Sequence, residues 1–408
     1  MTTNVYIAKS VYGGDGLGRL GDGRVVFVPG AWAGEQVRAE IVDEKRNFVR
    51  ARLVEVVEPS PERMEPGPAV PGMTYAGLSV AGERAAKHGQ LAEFFERARI
   101  AVPEIVGPDA GEPSLNYRNK VVYHFAKAGG RWAVGYRREP EHAVEDVGND
   151  PLAVAEINAK LPDIRRSVLA LLTSGPEAVR RDVERKGGVT VRWTKKSGVK
   201  WWIGDPPDGL VLKESACGLD FEVPADGFWQ VNPAVCERLV SAVADAYAAG
   251  VAQAPDIVDL YCGVGVMGLA CAKRAREASI AARLTGVESG RQAVDFAKRN
   301  AAAQGVQGAR FYAERVGPNV RRLPLGARTT VIVDPPRSGL EPGVARALAA
   351  SKAPRVVYVS CDPATLMRDL RELCRAYEVE SVRWFDMFPR TARFETMVCL
   401  RRTCESKK

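Results

Sequence analysis

The chain has 408 residues, which is long enough for two or three domains that each bury a core. Its 46% of hydrophobic and 26% of charged residues are ordinary for a soluble globular protein. The apolar runs stop well short of the roughly 20 residues that a membrane span needs, and the first residues lack the apolar core of a signal peptide. We therefore expect a cytoplasmic protein without a membrane partner. The net charge of +8 fits a polyanionic partner.

The eight cysteines form no CxxC pair, and their spacing suggests no disulfide framework. In a reducing compartment we expect free thiols that are mostly buried as small apolar residues. They stand at positions 217, 236, 262, 271, 361, 374, 399 and 404.

Residues 1–58 have the pattern of a small β-barrel. Apolar and polar residues alternate over residues 23–29, 36–42 and 48–57, which predicts three short strands. The glycines between positions 13 and 23 predict turns. Short strands at this spacing are typical of an OB-like barrel, and the prolines that follow predict a linker.

Residues 59–222 are predicted to form a central α+β domain. The periodicity favours helices over residues 86–99 and 157–172. A strand hairpin is predicted over residues 120–136, with its turn at Gly129 and Gly130.

A basic segment lies within this central domain. Residues 180–200 contain eight Lys or Arg and two acidic residues, and Trp193, Trp201 and Trp202 lie within or beside them. A basic hairpin with aromatic residues suits RNA, because cations hold phosphates and rings stack on bases. An equally open alternative is a solvated hairpin whose tryptophans fill the core.

From residue 223 onward, predicted strands and helices alternate, which indicates a parallel sheet covered by helices, an α/β fold. The strands are predicted at 257–261, 283–288, 330–334 and 355–360, with helices at 267–275, 292–304 and 363–374. Ligands of such sheets bind beyond the carboxyl ends of the strands, where Asp259, Glu288, Asp334 and Cys361 lie.

The first motif is a glycine turn, DLYCGVGVMG at residues 259–268. Gly263 and Gly265 let the backbone approach a ligand closely, and Glu288 ends the next strand. A carboxylate at that place can accept hydrogen bonds from both ribose hydroxyls of a nucleoside cofactor. By themselves these residues fit a nicotinamide cofactor and S-adenosylmethionine equally well.

The second motif is DPPRSG at residues 334–339, in which two prolines hold Asp334 at the mouth of the sheet. The third is SCDPATLMRD at residues 360–369. Cys361 ends a strand and precedes a helix, whose amino terminus should favour the reactive thiolate. The fourth, MFPRTARFE, is a proline-broken segment that ends at Glu395.

These four motifs, in this order, resemble the uridine-C5 RNA methyltransferase family, which acts on tRNA and ribosomal RNA. The resemblance covers most of the chain. Residues 1–58 resemble the TRAM RNA-binding domain of that family, and FWQVN at residues 228–232 resembles its FxQxN motif. The resemblance implies a class I, Rossmann-like methyltransferase domain over residues 223–408, preceded by the TRAM barrel and a central RNA-binding domain.

The resemblance also implies the chemistry. S-adenosylmethionine would be the cofactor, Cys361 the nucleophile that adds to carbon 6 of uridine, and Glu395 the base that removes the proton from carbon 5. The residues that would bind or frame the cofactor and the target base are Gln230, Tyr261, Gly263, Gly265, Glu288 and Asp334. Asp334 is also counted with the catalytic residues.

The sequence departs from the family where many members hold a [4Fe–4S] cluster. The four ligand positions match Val70, Ala76, Ser79 and Asp150, which cannot supply thiolates, so we expect no iron–sulfur cluster and no metal. Three further departures, at Val266, Arg315 and Arg393, concern the contacts of cofactor and base.

Other functions remain possible at this point. A cytosine-C5 RNA methyltransferase would pair two cysteines at adjacent strand ends, whereas the turn at Asp334 has none. An enzyme acting on an exocyclic nitrogen is disfavoured by Arg337. A non-catalytic RNA-binding factor on the same scaffold is disfavoured by Cys361 and Glu395. The target is expected to be 23S ribosomal RNA, with tRNA as the alternative.

Overall fold

The computed structural model describes residues 2–138 and 143–403, so Cys404 lies outside the described chain. Two compact units can be separated: residues up to 94 together with 388–394, and residues 95–387 together with those from 395 onward. The division into three functional domains stays a prediction. Within the described residues, every helix is too short or too polar to cross a membrane.

The amino-terminal strands close into a five-stranded barrel in the order β1-β2-β3-β5-β4, which confirms the OB-like barrel. Its core is aliphatic and includes Val37, Ala39 and the partly buried Ile41, the face that the alternation predicts. The strands are β1 Thr2–Ser10, β2 Gly16–Arg19, β3 Val25–Val28, β4 Gln36–Glu44 and β5 Phe48–Glu58.

Two of the glycines predicted as turns lie instead in strand β2. A Cβ atom on Gly16 would come within 2.5 Å of the carbonyl oxygen of Ala31, and one on Gly18 would come equally close to that of Tyr6. Glycine is therefore required here by close backbone approach, which a sequence pattern does not distinguish from a turn. Helix α1, Val80–Ala98, begins six residues before its predicted start.

The first strand of the second unit is β6, Ile105–Ala110, and the unit contains an antiparallel sheet in the order β11-β10-β7-β8-β9. Its strands are β7 Lys120–Ala128, β8 Arg131–Arg138, β9 Ala143–Asp146, β10 Gly188–Thr194 and β11 Gly198–Ile203. Helices α2, Ala155–Thr173, and α3, Glu177–Lys186, follow β9. The hairpin β12–β13 consists of Val211–Ala216 and Leu219–Pro224.

The hairpin predicted at residues 120–136 and the helix predicted at 157–172 are confirmed. The interpretation of residues 180–200 as one basic hairpin is wrong for its first part, which forms helix α3. That helix ends at Gly187, whose φ of 67° is the left-handed value that favours glycine at a helix terminus.

The largest sheet has eight strands in the order β16-β15-β14-β17-β18-β20-β19-β6. Strands β14 to β18 are parallel to one another, and β20 is antiparallel to β18. The strands are β14 Asp256–Leu260, β15 Leu284–Glu288, β16 Arg310–Ala313, β17 Thr329–Val333, β18 Arg355–Ser360, β19 Tyr377–Asp386 and β20 Glu395–Arg402.

Every residue of β14 and β17 is buried, as expected for central parallel strands covered on both faces. The order along the sheet reverses between these two strands, and ligands of open α/β sheets bind at such a point. The helices of this part are α4 Pro233–Ala248, α5 Val266–Glu277, α6 Arg291–Ala303, α7 Val316–Asn319, α8 Val344–Ala350 and α9 Pro363–Leu373, with a 3-10 turn at Val320–Arg322.

Candidate functional site

The glycine turn lies at the carboxyl end of β14, next to the ends of β15 and β17. Leu260 is paired with Val287 on one side and with Val333 on the other, so Tyr261, Glu288 and Asp334 follow at the same edge. The register thus brings together three of the residues singled out in the sequence.

Backbone strain marks the start of this turn. Tyr261 has a φ of 64°, and Gly263 and Gly265 have φ values of 53° and 89°. A left-handed conformation is costly for a tyrosine and is common at functional sites. The N–H of Gly263 donates to Glu288 Oε2 at 3.3 Å, and the N–H of Gly290 donates to Glu288 Oε1 at 2.8 Å. The carboxylate of Glu288 is therefore held between two backbone turns.

Asp259 is buried directly behind the turn. The N–H of Gly268 donates to Asp259 Oδ2 at 2.9 Å, and a Cβ atom on Gly268 would lie only 2.8 Å from that oxygen. Burial raises the pKa of Asp259 to about 7, and the carboxylates of Asp334 and Glu288 add to the rise. The sequence places Asp259 at a strand end, but only the structure shows that it fixes the glycine turn.

A cleft opens in front of the turn. Its lining includes Gln230, Tyr261, Gly263 and Asp334, together with the departure Val266. Gln230 comes from the segment between β13 and α4, far from the other residues in sequence. Glu288 stands beside the turn, where the N–H of Gly263 donates to its carboxylate, and Gly265 ends the turn at the start of helix α5.

A hydrogen-bond chain runs from the cleft to Arg315. The N–H of Glu341 donates to the hydroxyl oxygen of Tyr261 at 3.1 Å, which leaves the hydroxyl hydrogen available for another acceptor. The carboxylate of Glu341 accepts from the Arg315 guanidinium at 2.8 Å and from the N–H of Val316 at 3.2 Å. Arg315, a departure from the family, is thus fixed by an ion pair beside the carboxyl end of β16.

Cys361 and Glu395 are brought together by the pairing of antiparallel strands. Ser360, the last residue of β18, is paired with Thr396 of β20. Cys361 directly follows Ser360, and Glu395 directly precedes Thr396. The thiol and the carboxyl therefore stand opposite each other at the carboxyl end of β18. They are separated by 34 positions in sequence, and only the register joins them.

Two features of the structure oppose the predicted effect of the helix terminus on Cys361. The side chain of Asp362 caps helix α9 by accepting from the N–H groups of Ala364 and Thr365 at 3.0 and 3.1 Å, which occupies donors that would otherwise favour a thiolate. Burial raises the pKa of Cys361 to about 12, and the negative charges of Glu395 and Asp334 contribute. The resting form is therefore the neutral thiol.

Glu395 is buried, and its Oε2 atom accepts no hydrogen bond from the described residues. Burial and the nearby charge of Asp334 raise its pKa well above the usual range. Burial likewise raises the pKa of Asp334 to about 7. Arg337 opposes these effects, because its positive charge lowers the pKa of both Glu395 and Cys361. The DPPRSG motif contains this arginine, whose electrostatic role the sequence does not reveal.

Two residues of the third motif hold the second motif in place. Asp369 Oδ2 accepts from the N–H of Leu340 at 2.8 Å and from the hydroxyl of Tyr358 at 2.7 Å. The hydroxyl of Thr365 donates to the carbonyl oxygen of Arg337 at 3.2 Å. Helix α9 therefore fixes the loop after Asp334, a role that the spacing in the sequence does not show.

The fourth motif is anchored within the first unit. Arg390, which is 7% exposed, donates from Nη1 to Glu83 at 3.0 Å and from Nη2 to the carbonyl oxygen of Leu78 at 2.7 Å. Buried Lys87 donates to the same glutamate at 2.7 Å. Arg393, another departure from the family, donates to the hydroxyl of Tyr12 at 2.6 Å. This segment leads directly into Glu395.

The positions that match cluster ligands have other partners. Val70 is buried and apolar, and Ala76 and Ser79 lie in the turns before helix α1. Asp150 is buried and accepts hydrogen bonds from the hydroxyls of Tyr123 and Tyr136 at 3.0 and 2.7 Å. The absence of an iron–sulfur cluster stays a prediction.

The hairpin β10–β11 divides its basic and aromatic residues between two environments. Lys195, Lys200 and Trp201 are exposed, whereas Trp202 and Arg192 are buried. The alternative in which tryptophans fill the core is confirmed for Trp202 and wrong for Trp201. The contact with RNA stays a prediction.

Comparison with known proteins identifies two matching regions. A family model described as tRNA (uracil-5-)-methyltransferase matches residues 212–403, and the TRAM domain model matches residues 2–54. The first match covers the glycine turn, Asp334, Cys361 and Glu395, and the second covers the barrel.

Similar proteins extend over nearly the whole chain. An RNA methyltransferase of Gloeobacter violaceus is 30% identical and covers 98% of this chain and 97% of its own. The 23S rRNA (uracil(1939)-C(5))-methyltransferase of Aeromonas hydrophila is 28% identical over 95% of this chain and 93% of its own. The crystal structure of Pyrococcus abyssi tRNA (uracil-54, C5)-methyltransferase, in complex with S-adenosyl-L-homocysteine, has the same fold, with a TM-score of 0.73, 21% identity, and coverage of 97% and 100%.

Proposed function

Because the chain belongs to the family of S-adenosylmethionine-dependent RNA methyltransferases that act on carbon 5 of uracil, we propose that it forms 5-methyluridine in 23S ribosomal RNA through a covalent adduct with Cys361. The observation that carries this proposal is the pairing of Ser360 with Thr396, which sets the Cys361 thiol opposite the Glu395 carboxyl. One adding nucleophile and one base are the two protein groups that the reaction needs.

The residues around the cleft fit the cofactor. The carboxylate of Glu288, fixed by two backbone N–H groups, suits ribose hydroxyls, and the buried carboxyls of Asp259 and Asp334 suit a positively charged ligand. The residues proposed to hold S-adenosylmethionine are Gln230, Tyr261, Gly263, Gly265, Glu288 and Asp334. When bound, it supplies the methyl group that carbon 5 receives.

The reaction begins at Cys361. Its thiol proton must leave before the sulfur can add to carbon 6, and Asp334, with a pKa raised to about 7, can take that proton at neutral pH. The S–C6 bond forms as the C5=C6 electron pair moves onto the ring as an enolate. Carbon 5 thereby becomes nucleophilic.

Glu395 completes the reaction. After carbon 5 has gained its methyl group, the carboxylate of Glu395 takes the remaining proton of carbon 5, the C5=C6 bond re-forms, and the S–C6 bond breaks to release the cysteine. Because burial favours the neutral form of Glu395 in the free site, it must ionise before this step, and Arg337 favours that ionisation.

The substrate is proposed to contact the barrel, residues 1–58, and the central domain, residues 59–222, while residues 223–408 carry out the chemistry. The match to the TRAM domain and the full-length relative that acts on 23S ribosomal RNA support this substrate. tRNA is the alternative, since the matching family model is described by that substrate.

Two measurements test the proposal. The purified protein, supplied with labelled S-adenosylmethionine, should transfer label to RNA from a strain that lacks the gene and not to RNA from its parent. Mapping of 5-methyluridine in that strain should show the loss in 23S ribosomal RNA. Loss in tRNA alone would overturn the choice of RNA, and no transfer to any RNA would overturn the enzymatic function.

A further inference from the structure

Arg192 is a buried arginine that the reaction does not use. It lies on strand β10 of the basic hairpin and is 1% exposed, whereas its neighbours Lys195 and Lys196 face solvent. A buried guanidinium is costly unless its N–H donors are paired. Nε of Arg192 has no hydrogen-bond partner among the described residues, so the partners of Nη1 and Nη2 identify what this side chain holds.

The partners of Arg192 are carbonyl oxygens of one turn. Nη1 donates to the carbonyl oxygen of Gly227 at 2.8 Å and to that of Ala225 at 3.1 Å. Nη2 lies 3.4 Å from the buried carboxylate of Glu214. Charge balance needs only a carboxylate, whereas the carbonyl oxygens of Pro224, Ala225 and Gly227 all lie within 3.5 Å of Nη1, so Arg192 also holds the backbone of this turn.

The turn that Arg192 holds leads directly into the cofactor cleft. Gly227 is followed by Phe228, Trp229 and Gln230, which line the cleft. On the far side of Gln230, the N–H of Asn119 donates to the carbonyl oxygen of Val231 at 2.9 Å. Gln230 thus lies between two anchors.

Both anchors belong to the antiparallel sheet of the central domain. Arg192 is on strand β10, and the N–H of Trp193 on the same strand donates to the carbonyl oxygen of Asn119 at 2.7 Å. A shift of this strand would therefore act on both sides of Gln230.

We infer that Arg192 is a positioning residue for the cofactor: it fixes the turn at residues 225–227 and, through it, the side chain of Gln230. The inference rests on the proposed role of Gln230 in the cofactor site. Loss of the fork leaves the cleft intact but lets residues 228–230 move, so that the cofactor must order this segment when it binds.

The test compares Arg192→Met with two other variants. Arg192→Met should weaken binding of S-adenosyl-L-homocysteine about tenfold in calorimetry and speed hydrogen exchange at residues 228–231. The matched control is Val191→Ala, an equally buried neighbour on the same strand that should lower the melting temperature and leave affinity unchanged. If Arg192→Met does not fold, Arg192→Lys retains the charge and removes the fork, and the same loss of affinity is expected.

The decisive measurement is the double variant Arg192→Met with Gln230→Ala. If Arg192 acts through Gln230, the double variant should bind no more than about twofold more weakly than Gln230→Ala alone. The inference would be overturned if the loss of affinity in the double variant equalled the product of the losses in the two single variants. It would also be overturned if folded Arg192→Met bound with unchanged affinity. If Gln230→Ala itself binds normally, the proposed cofactor role of Gln230 fails as well, so the two failures are distinguishable.

Discussion

The carboxyl ends of the strands in the parallel sheet carry buried acidic residues, whereas the hairpin β10–β11 carries exposed basic residues. At the edge, Asp259, Asp334 and Glu395 are held where burial raises their pKa values. On the hairpin, Lys195 and Lys200 remain in solvent. Burial moves the pKa of a carboxyl such as Asp334 toward neutrality, where it can exchange a proton, whereas lysines proposed to hold phosphates need the full charge that solvent preserves.

The largest effect is expected from Cys361→Ala. Without the sulfur, carbon 5 is not activated, so methyl transfer should fall by at least about 10⁴-fold. The half-buried Cys374, after the end of the same helix, supplies the control: Cys374→Ala should retain activity. The measurement is transfer of labelled methyl groups to RNA, and appreciable transfer by Cys361→Ala would remove the covalent step.

Glu395→Gln should stop the reaction one step later. Attack and methylation can proceed, but glutamine cannot take the proton of carbon 5, so turnover should fall by about 10²- to 10⁴-fold and the methylated adduct should persist. A denaturing gel should show a slow protein–RNA band that requires the cofactor. The double variant with Cys361→Ala should lack the band. Normal turnover by Glu395→Gln would exclude this residue from the mechanism.

Glu288→Ala should affect cofactor binding, which is proposed for the parallel sheet, and not RNA binding, which is proposed for the hairpin. Loss of a fixed carboxylate should weaken S-adenosylmethionine binding by about 10- to 100-fold and leave RNA binding nearly intact. Asp295→Ala, an exposed acid on the neighbouring helix α6, is the control for a general loss of negative charge. Calorimetry with an unchanged cofactor affinity would refute the ribose assignment.

A smaller effect is expected from pH. In the free protein, burial raises the pKa of Asp334 and of Asp259 to about 7, and a cation in the cleft favours their ionised forms. Binding must therefore expel protons below pH 7, so affinity for S-adenosylmethionine should rise about tenfold per group from pH 6 to pH 8 and then level off. Glu395, whose pKa is raised by burial, adds to this trend, and Arg337 opposes it.

S-adenosyl-L-homocysteine lacks the sulfonium charge, so its affinity should change less over the same range. Calorimetry in two buffers of different ionisation enthalpy would count the protons released. Equal pH dependence for the two ligands would show that these carboxyls do not sense the charge of the cofactor.

The smallest effect is expected on the hairpin. The logarithm of RNA affinity falls linearly with the logarithm of salt concentration, with a slope of about one unit per phosphate that the protein neutralises. Replacing Lys195, Lys196 and Lys200 with Ala should make this slope shallower by about two units. It should be two rather than three, because Lys196 is paired with Asp220. The control replaces the arginines at the opposite edge of the parallel sheet, at positions 283, 310 and 328. An unchanged slope in the lysine variant would show that these lysines do not contact RNA phosphates.

The fold was predictable where the pattern is local. The buried runs that form β14, β17 and β18 and the turns after them could be located within one or two residues, because hydrophobic burial, glycine and proline act on adjacent positions. Helix α3 could not be recognised, since seven of its ten residues, 177–186, are charged and only Val183 is buried.

The sequence by itself determined which side chains stand at the ends of the parallel strands, because the first three motifs directly follow strands β14, β17 and β18. Only the tertiary structure decided that Cys361 lies opposite Glu395, that the thiol is neutral at rest, and that Arg192 is core rather than surface. Strand register, burial and the charges of residues distant in sequence set these properties, and none of these three factors can be deduced from neighbouring residues in the chain.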